Sequence, residues 1–397
     1  MKTILLICLP VLAQPGGVLV LKNANVIDGL ADQPLRNVTV VVKDSRIESI
    51  GTAAAPAGAT EIDLGGRWVL PGWVDAHVHI NDLRQARTAL LSGVTTARSM
   101  GASHFSDIGI GELNRGGFAD APDMVAAGYH VRPQPAEEMF IDLPKLIDLR
   151  GRVAGTAAVR RMVRALLDRG VGVIKIMATE RGGLPDTDPR QRVFTDEDLG
   201  AAVDEAATRR IPVAAHAHGD EGARAAVRAG VKSIEHGTYL SDDTLTLMKS
   251  RGTYFVPTIA TVVDLVEPGG DYDNALLSIR GRGMLPRVRE TSARAVKMGV
   301  RMVAGTDTGY GPASSRRMPD EIIELHRAGL SVLQAIQAAT STSAELLGVG
   351  GRTGAVKPGL EADLIVIERD PVADITALHD VLVVINNGKV AVNRLVR

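Results

Sequence analysis

Between residues 71 and 350, short apolar runs alternate with amphipathic helical patterns. Eight runs read as strands, at 73–80, 94–100, 124–131, 171–177, 212–218, 232–237, 254–260 and 300–306. In the helical pattern FTDEDLGAAVDEAATRR, Thr195 and Asp198 have the spacing of a capping box. Eight strands alternating with helices predict an α/β fold, a closed (β/α)8 barrel of the TIM type, whose working residues gather at the carboxyl ends of the strands.

The two ends of the chain show shorter alternating runs broken by turns. Examples are VTVVVKDSRIESI near the start and VLVVINNGKVAV near the end, where Asn387-Gly388 is a tight hairpin signal. We therefore predict a small composite β-sandwich domain built from 17–70 and 351–397, with the barrel at 71–350. The polar, glycine-rich stretch 101–123 predicts a long loop after the second strand.

The first 13 residues, MKTILLICLPVLA, have one lysine, an apolar run and a small residue at the end. This pattern predicts a signal peptide at 1–13 and a secreted or periplasmic protein. If the run is not a signal, the protein is cytoplasmic. The single cysteine, Cys8, lies in this run, so a chain cleaved after Ala13 has no disulfide and no thiolate metal ligand.

Composition excludes several partners. The formal net charge is −1, with 45 basic and 46 acidic residues interleaved, so no basic surface for nucleic acid is indicated. No apolar stretch reaches the roughly 18 residues of a membrane span. Nothing in the sequence identifies a subunit interface, and a homo-oligomer remains open.

Ionisable residues recur near the carboxyl ends of five of the eight strands. In VDAHVHI, two histidines and an aspartate share one face of an apolar strand, because side chains alternate. Six or more such residues on five strands indicate one site rather than scattered core polarity. They are His77 and His79, Lys175 in VGVIKIM, His216 and His218 in PVAAHAHGD, His236 in SIEHGTY, and Asp307 in RMVAGTDTG.

The residue types favour a metal centre. Imidazole and carboxylate oxygen suit zinc and related divalent ions, and separate strands converge as a protein cage requires. Lys175 cannot remain an ordinary cation beside two metal ions. A neutral lysine amine reacts with carbon dioxide to give a carbamate, whose two oxygens can bridge two metals.

The segments VLPGWVDAHVHI, VIKIMAT, VAAHAHG, SIEHGTYL and AGTDTG resemble the amidohydrolase superfamily. The resemblance is to the imidazolonepropionase-like branch that contains metal-dependent dipeptidases and carboxypeptidases, and it covers nearly the whole chain after residue 17. It implies two divalent ions, expected to be Zn²⁺, and a carboxylated lysine. The implied ligands are His77, His79, carboxylated Lys175, His216, His236 and Asp307.

The resemblance implies hydrolysis of an amide bond by a metal-bridging hydroxide. Metal ions lower the pKa of bound water, and Asp307 can take the proton and pass it to the leaving amine. The expected substrate is a small molecule, a dipeptide or an N-acyl amino acid. The natural substrate, the metal used and the oligomeric state cannot be read from the sequence.

Residues around the substrate are less defined. The related peptidases imply His130 and Tyr239 as catalytic groups that hold a substrate carboxylate or the developing oxyanion. His218 is predicted to orient a neighbouring ligand, and Arg132 and Arg98 to orient ligands or bind substrate. Glu180 and Arg181 either line an altered pocket or form a solvated ion pair, because MATERGGLPDTDP departs from the expected glycine-rich turn. Surface positions are predicted for His104, His326 and His379.

Two alternatives remain open. One is a cyclic amidase, lactonase or esterase, or a hydrolase with a single metal, on the same barrel; Lys175 argues against the single-metal form. The other is a non-catalytic barrel used for binding, which the intact ligand set disfavours.

Overall fold

The chain is described by a computed structural model over residues 17–52, 55–270 and 274–395. The predicted signal peptide at 1–13, with Cys8, lies outside the described residues. Within those ranges, no helix is both long and apolar enough to cross a membrane.

The N-terminal part of the chain forms five strands. They are β1 Val18–Val26, β2 Leu35–Lys43, β3 Arg46–Gly51, β4 Thr60–Asp63 and β5 Trp68–Pro71. Strand β1 is central, because it pairs antiparallel with β2 on one edge and parallel with β4 and β5 on the other. Its Leu19 and Leu21 and the Val40 and Val42 of β2 belong to one buried cluster.

The middle of the chain alternates strands with helices. The strands are β6 Trp73–Val78, β7 Val94–Ser99, β8 Asp123–Ala126, β9 Ile174–Met177, β10 Val213–Gly219, β11 Ser233–Tyr239 and β12 Tyr254–Val256. The helices are α1 Leu83–Leu91, α2 Ser106–Arg115, α3 Glu137–Asp142, α4 Thr156–Asp168, α5 Asp196–Ala207, α6 Asp220–Ala229, α7 Asp242–Arg251, α8 Ile259–Asp264, α9 Ala275–Met298, α10 Arg317–Arg327, α11 Val332–Ala338 and α12 Ser341–Leu346. Short 3-10 helices occur at Ser103–Phe105, Pro144–Leu149 and Ile375–His379.

The parallel strands form two sheets joined by isolated backbone bridges. One sheet has the order β6-β7-β8 and the other β12-β11-β10-β9. Single parallel bridges connect Val131 with Ile176, Phe255 with Met302, and Val78 with Thr308. The eighth predicted run, 300–306, is therefore bridged backbone instead of a regular strand. Just beyond it, Asp307 at φ 49° leaves the extended conformation.

Three C-terminal strands complete the first sheet: β13 Leu364–Ile367, β14 Val381–Asn386 and β15 Lys389–Asn393. Strand β13 pairs antiparallel with β5, so both chain ends join one sheet with the order β15-β14-β13-β5-β1-β2-β3. Instead of two separate sheets, the predicted sandwich is one continuous eight-stranded sheet with a branch at β1. The predicted hairpin is confirmed, with Asn387 and Gly388 at φ 51° and 74°.

Helix prediction succeeded where local signals are strong. The Thr195 hydroxyl accepts from the Asp198 N–H at 3.2 Å, and the Asp198 carboxylate accepts from the Thr195 N–H, so the capping box at α5 is confirmed. The predicted loop at 101–123 was wrong, because α2 occupies part of it. There Gly111 packs against Met124, and this tertiary contact has no periodic signature. The helical pattern after Pro319 is divided into α10, α11 and α12, with Gly329 at φ 117° between the first two.

Candidate metal centre

One cavity collects the ionisable residues predicted at the strand ends. Its volume is about 260 Å³, and it lies at the carboxyl ends of β6, β9, β10 and β11 and beside the 300–308 segment. Parallel strands present their carboxyl ends at one edge, so residues distant in sequence converge there. The predicted residues that line it are His77, His79, His130, Lys175, His216, His218, His236 and Asp307.

Nε2 of His77 and Nε2 of His79 both lie beside Asp307. Nδ1 of His77 donates to Oε2 of Glu235 at 2.8 Å, and Nδ1 of His79 donates to the Gly101 carbonyl at 3.0 Å. A neutral imidazole has a single N–H, so Nε2 of each ring carries a lone pair. These nitrogens lie 3.4 and 3.1 Å from Oδ1 of Asp307. The two Nε2 atoms and the carboxylate oxygen are then all acceptors facing one another, an arrangement that a shared cation would stabilise.

Three imidazoles form a second group of candidate ligands. The candidate ligand atoms of His216, His218 and His236 lie within 4.8 Å of one another, and so do those of His77, His236 and Asp307. Nε2 of His216 donates to the Glu180 carbonyl at 3.0 Å, which leaves Nδ1 as an acceptor. Burial lowers the pKa of His216 and of His236 well below the ordinary value, so both rings are neutral, the form in which imidazole can bind a metal. Because the two groups share His236, the donor set fits two adjacent divalent ions.

Lys175 is fully enclosed at the base of this cluster. Its Nζ lies 3.2 Å from Nε2 of His77. Burial lowers the pKa of Lys175 to about 8, although Glu235 and Asp307 oppose that shift. The lowered pKa increases the fraction of Lys175 that is neutral near pH 7. The neutral amine is the form that can coordinate a metal or react with carbon dioxide.

The backbone around the cavity is held in uncommon conformations. His236, Thr258 and Asp307 have φ of 72°, 50° and 49°, in the left-handed region that non-glycine residues rarely occupy. Each such backbone conformation destabilises the folded state by about 1–3 kcal/mol and persists only where the surrounding structure holds it. At Gly305, a Cβ atom would lie only 2.9 Å from Cβ of His77. Glycine at this position thus lets the 300–308 segment approach β6 and bring Asp307 to the histidines.

A buried ion pair between Arg98 and Glu235 lies next to His77, on the side of its Nδ1 atom. Glu235 was not predicted from the sequence. Glu235 accepts from Arg98 at 2.8 Å and from the Ser233 hydroxyl at 2.5 Å on one oxygen, and from His77 on the other. Burial would raise the pKa of Glu235, but Arg98 and His77 outweigh it and hold the pKa at about 2. An acid directly before His236 in an otherwise apolar strand was the available signal. Of the two roles predicted for Arg98, its enclosed side chain fits orienting a ligand and not binding substrate, because it holds Glu235 against His77.

Asp75 ties β6 to the segment that carries Asp307. Its Oδ1 accepts from the backbone N–H of His77 at 3.1 Å and of Thr306 at 3.0 Å, and its Oδ2 accepts from the Tyr310 hydroxyl at 2.8 Å. Complete burial raises its pKa to about 6. Asp75 therefore shares a face with the histidines but serves as a link between two backbone segments.

A family model described as the amidohydrolase family matches residues 68–391. The chain belongs to the amidohydrolase family. The matched range begins in β5 and runs into β15, so it includes every candidate metal ligand.

Relatives of this amidohydrolase include characterised hydrolases. Ochratoxinase from Aspergillus niger is 33% identical over 229 residues, a match that covers 57% of this chain and 47% of that protein, about half its length. Imidazolonepropionase from Micrococcus luteus is 27% identical over 378 residues, covering 84% of this chain and 88% of that protein. These similarities confirm the predicted imidazolonepropionase-like branch.

Solved structures show the same fold. A Xaa-Pro dipeptidase with methionine bound in its active site superimposes with a TM-score of 0.85 at 27% identity, over 94% of this amidohydrolase and 99% of that chain. The A. niger ochratoxinase structure has a TM-score of 0.80 at 26% identity and covers 97% and 98% of the two chains. The described strands and helices thus belong to an architecture already seen in hydrolases.

Of the residues predicted around the substrate of this amidohydrolase, some line the candidate site and others lie outside it. His130 lines the cavity, but its Nε2 donates to the Met100 carbonyl at 2.7 Å, so its single N–H is not directed at an oxyanion. Arg132 lines a neighbouring cavity that shares His79 and His130 with the first. Tyr239 does not line either cavity; it is half-buried and packs beside an apolar cluster that includes Met284. Within the described chain, Glu180 and Arg181 form no ion pair, and Arg181 lines the cavity.

The remaining histidines lie outside the cavity. His104 and His326 are exposed, as predicted, and His104 contacts Asp142 at 3.0 Å. His379 was predicted at the surface but is half-buried, with its Nε2 2.8 Å from Asp320. His218 touches two candidate ligands, because its ring stacks on His236 at 4.8 Å and meets His216 edge-on at 4.8 Å.

Proposed function

We propose that this protein is a binuclear metal-dependent amidohydrolase that cleaves the amide bond of a small peptide or an N-acyl amino acid. The observation that carries this proposal is the convergence of His77, His79, His236 and Asp307 with their acceptor atoms facing one another. The Xaa-Pro dipeptidase and ochratoxinase similarities support hydrolysis of small molecules. We also propose that the bridged strands form a closed (β/α)8 barrel carrying the terminal sheet as a second domain.

The ligands that would hold two divalent ions, proposed to be Zn²⁺, are the six residues identified from the sequence. His77, His79, His216, His236 and Asp307 would hold the ions together with carboxylated Lys175. When bound, such ions lower the pKa of water and polarise a carbonyl oxygen. Carboxylation needs a neutral Lys175 amine, and the buried position of this side chain favours that form.

Asp307 is the proposed proton carrier. Its carboxylate is ionised, because the His77 and His79 rings and Lys175 outweigh the effect of burial and hold its pKa below the ordinary value. It can take the proton of the attacking water and deliver it to the leaving nitrogen. His130 has its N–H engaged by Met100, so its Nδ1 can accept from a substrate N–H and orient the amide. His218 would hold His216 and His236 in place through its two ring contacts.

Metal analysis and a substrate survey test the proposal together. Zinc-loaded protein prepared with bicarbonate is assayed for amine release from dipeptides, N-acyl amino acids and simple esters. About two ions per chain with turnover of amides is the expected result. About one ion per chain, or turnover confined to esters or lactones, would replace it with the single-metal or lactonase alternative. No bound metal and no turnover would indicate a non-catalytic barrel.

A further inference from the structure

Two arginines beside the candidate metal centre have no acidic partner within the described part of the chain. Arg181 lines the cavity that holds the histidines, and Arg132 lines the neighbouring cavity. The two cavities meet at His79 and His130, which line both. Over the residues that the structure describes, neither guanidinium makes a hydrogen bond or an ion pair. Both positive charges therefore remain available to a molecule in this space.

The two guanidinium charges also act on each other. Arg132 is half-buried, and burial together with the charge of Arg181 lowers the pKa of Arg132. Glu138 and Glu180 offset only part of this effect. Glu138 lines the cavity of Arg132 but forms no ion pair with either guanidinium among the described residues. The two neighbouring cations therefore still form a favourable place for an anion, and a planar guanidinium suits a carboxylate.

The loop that carries Arg181 is held in place by one residue of α9. Arg280 donates to the carbonyl oxygens of Gly182 at 3.0 Å, Pro185 at 3.1 Å and Thr187 at 2.6 Å, and also to that of Leu184. These bonds fix the backbone immediately after Arg181. The side chain of Arg181 is exposed, but its starting point is rigid, so less conformational entropy is lost when it binds an anion.

A different part of the first cavity is apolar. Val262, Leu265 and Met284 line it, from α8, the residue after α8, and α9. An apolar group on the substrate would be removed from water there, at roughly 25 cal/mol per Å² of buried surface. The cavity thus combines an apolar wall, the histidine cluster and a cationic pair.

We infer that the substrate is an N-acyl amino acid, or a dipeptide, whose carboxylate binds to Arg132 and Arg181 while an apolar group lies against Val262, Leu265 and Met284. This inference rests on the proposed amidohydrolase function and adds the residues that bind the carboxylate and the apolar group of the substrate. The arginines act by binding and positioning, and neither takes part in proton transfer.

The test compares an acid with its neutral isostere. N-acetyl-L-leucine and N-acetyl-L-leucinamide are given to zinc-loaded wild type, R132M, R132Q and R181M, and release of leucine or leucinamide is measured. The variant R228M is the matched control, because Arg228 is exposed in the last turn of α6. We expect R132M and R181M to lose about 10- to 100-fold in kcat/KM on the acid, mainly through KM, and less than about 3-fold on the amide. R228M should behave as wild type on both.

Binding calorimetry with the same two compounds separates this inference from the proposed function. If neither compound is hydrolysed, a wild-type preference of about 10-fold or more for the acid, lost in R132Q and R181M, still supports the cationic site while the proposed function fails on these substrates. Equal losses on acid and amide in the variants, or a preference that survives both substitutions, would overturn the inference, since another group would then read the carboxylate.

Discussion

Removing the positive charge of Arg98 should destabilise the protein strongly. Its side chain is 3% exposed and that of its partner Glu235 is 0% exposed. The guanidinium donates to Glu235 at 2.8 Å, to the Ala76 carbonyl at 2.6 Å and to the Ser233 hydroxyl at 3.2 Å. In R98M, the Glu235 carboxylate stays buried with bonds from only Ser233 and His77.

The magnitude follows from leaving one charge without its partner. Breaking a buried pair costs about 3–5 kcal/mol, because the remaining ion keeps its desolvation penalty and loses its compensation. E235Q leaves Arg98 as the uncompensated ion and should cost a similar amount. In R98M/E235Q neither charge remains, so the double variant should be less destabilised than the sum of the single variants by at least about 2 kcal/mol.

The assay is urea denaturation of the metal-free protein, followed by circular dichroism at pH 7.5. With an m-value of about 3 kcal/mol/M, the midpoint of R98M should fall by roughly 1–1.7 M. R150M is the matched control, because Arg150 pairs with Glu137 where both side chains are more than 60% exposed, and its cost should be below about 1 kcal/mol. A loss below 1 kcal/mol in R98M, or strictly additive single variants, would refute the compensation argument.

Three further predictions concern the metal ligands and a buried acid. Lys175→Ala should lose at least one metal ion per chain by elemental analysis and regain part of its turnover with propionate, whereas full metal occupancy would contradict the carbamate. Asp307→Asn should keep its metal and lose about 10³-fold or more in kcat, and a rate near wild type would remove Asp307 from proton transfer. Burial raises the pKa of Glu321 to about 8. Because the folded-state pKa is raised, the stability that this group contributes is fully present below about pH 4.5 and is lost as the pH rises towards 8. Glu321→Gln mimics the neutral acid. Between pH 5 and 8, its free energy of unfolding in urea titrations should therefore fall by up to roughly 4 kcal/mol less than that of wild type. Parallel pH profiles for the two proteins would contradict a neutral Glu321.

Much of the candidate site could be predicted because it depends on strand ends. Once His77, Lys175, His216 and His236 are assigned to parallel strands, their convergence follows from the architecture alone. Local signals were equally reliable, as at the α5 capping box. Tertiary contacts were less predictable: within 101–123, Gly111 of α2 lies close against Met124, and no periodicity reveals that contact.

The residues around the metal ligands could not be assigned in the same way. Arg98 was predicted either to orient a ligand or to bind substrate, and the choice depends on its contacts with Ala76 of β6 and Glu235 of β11. Tyr239 follows the family pattern, yet its half-buried ring packs beside the cluster of α8 and α9 residues instead of lining the cavity. Such directions are set by packing between elements distant in sequence.

Three features could be predicted from the sequence: the alternation of strands and helices, a β domain built from both chain ends, and the six candidate ligands. The first two follow from periodicity, and the ligand set follows from the resemblance to the amidohydrolase superfamily. Tertiary contacts were needed to show which nitrogen of each histidine faces the centre and that Glu235 and Arg98 support His77. They were also needed to show that Arg132 and Arg181 have no acidic partner among the described residues. Hydrogen-bond direction and charge compensation depend on distances of about 3 Å between residues far apart in the chain, and no one-dimensional pattern specifies those distances.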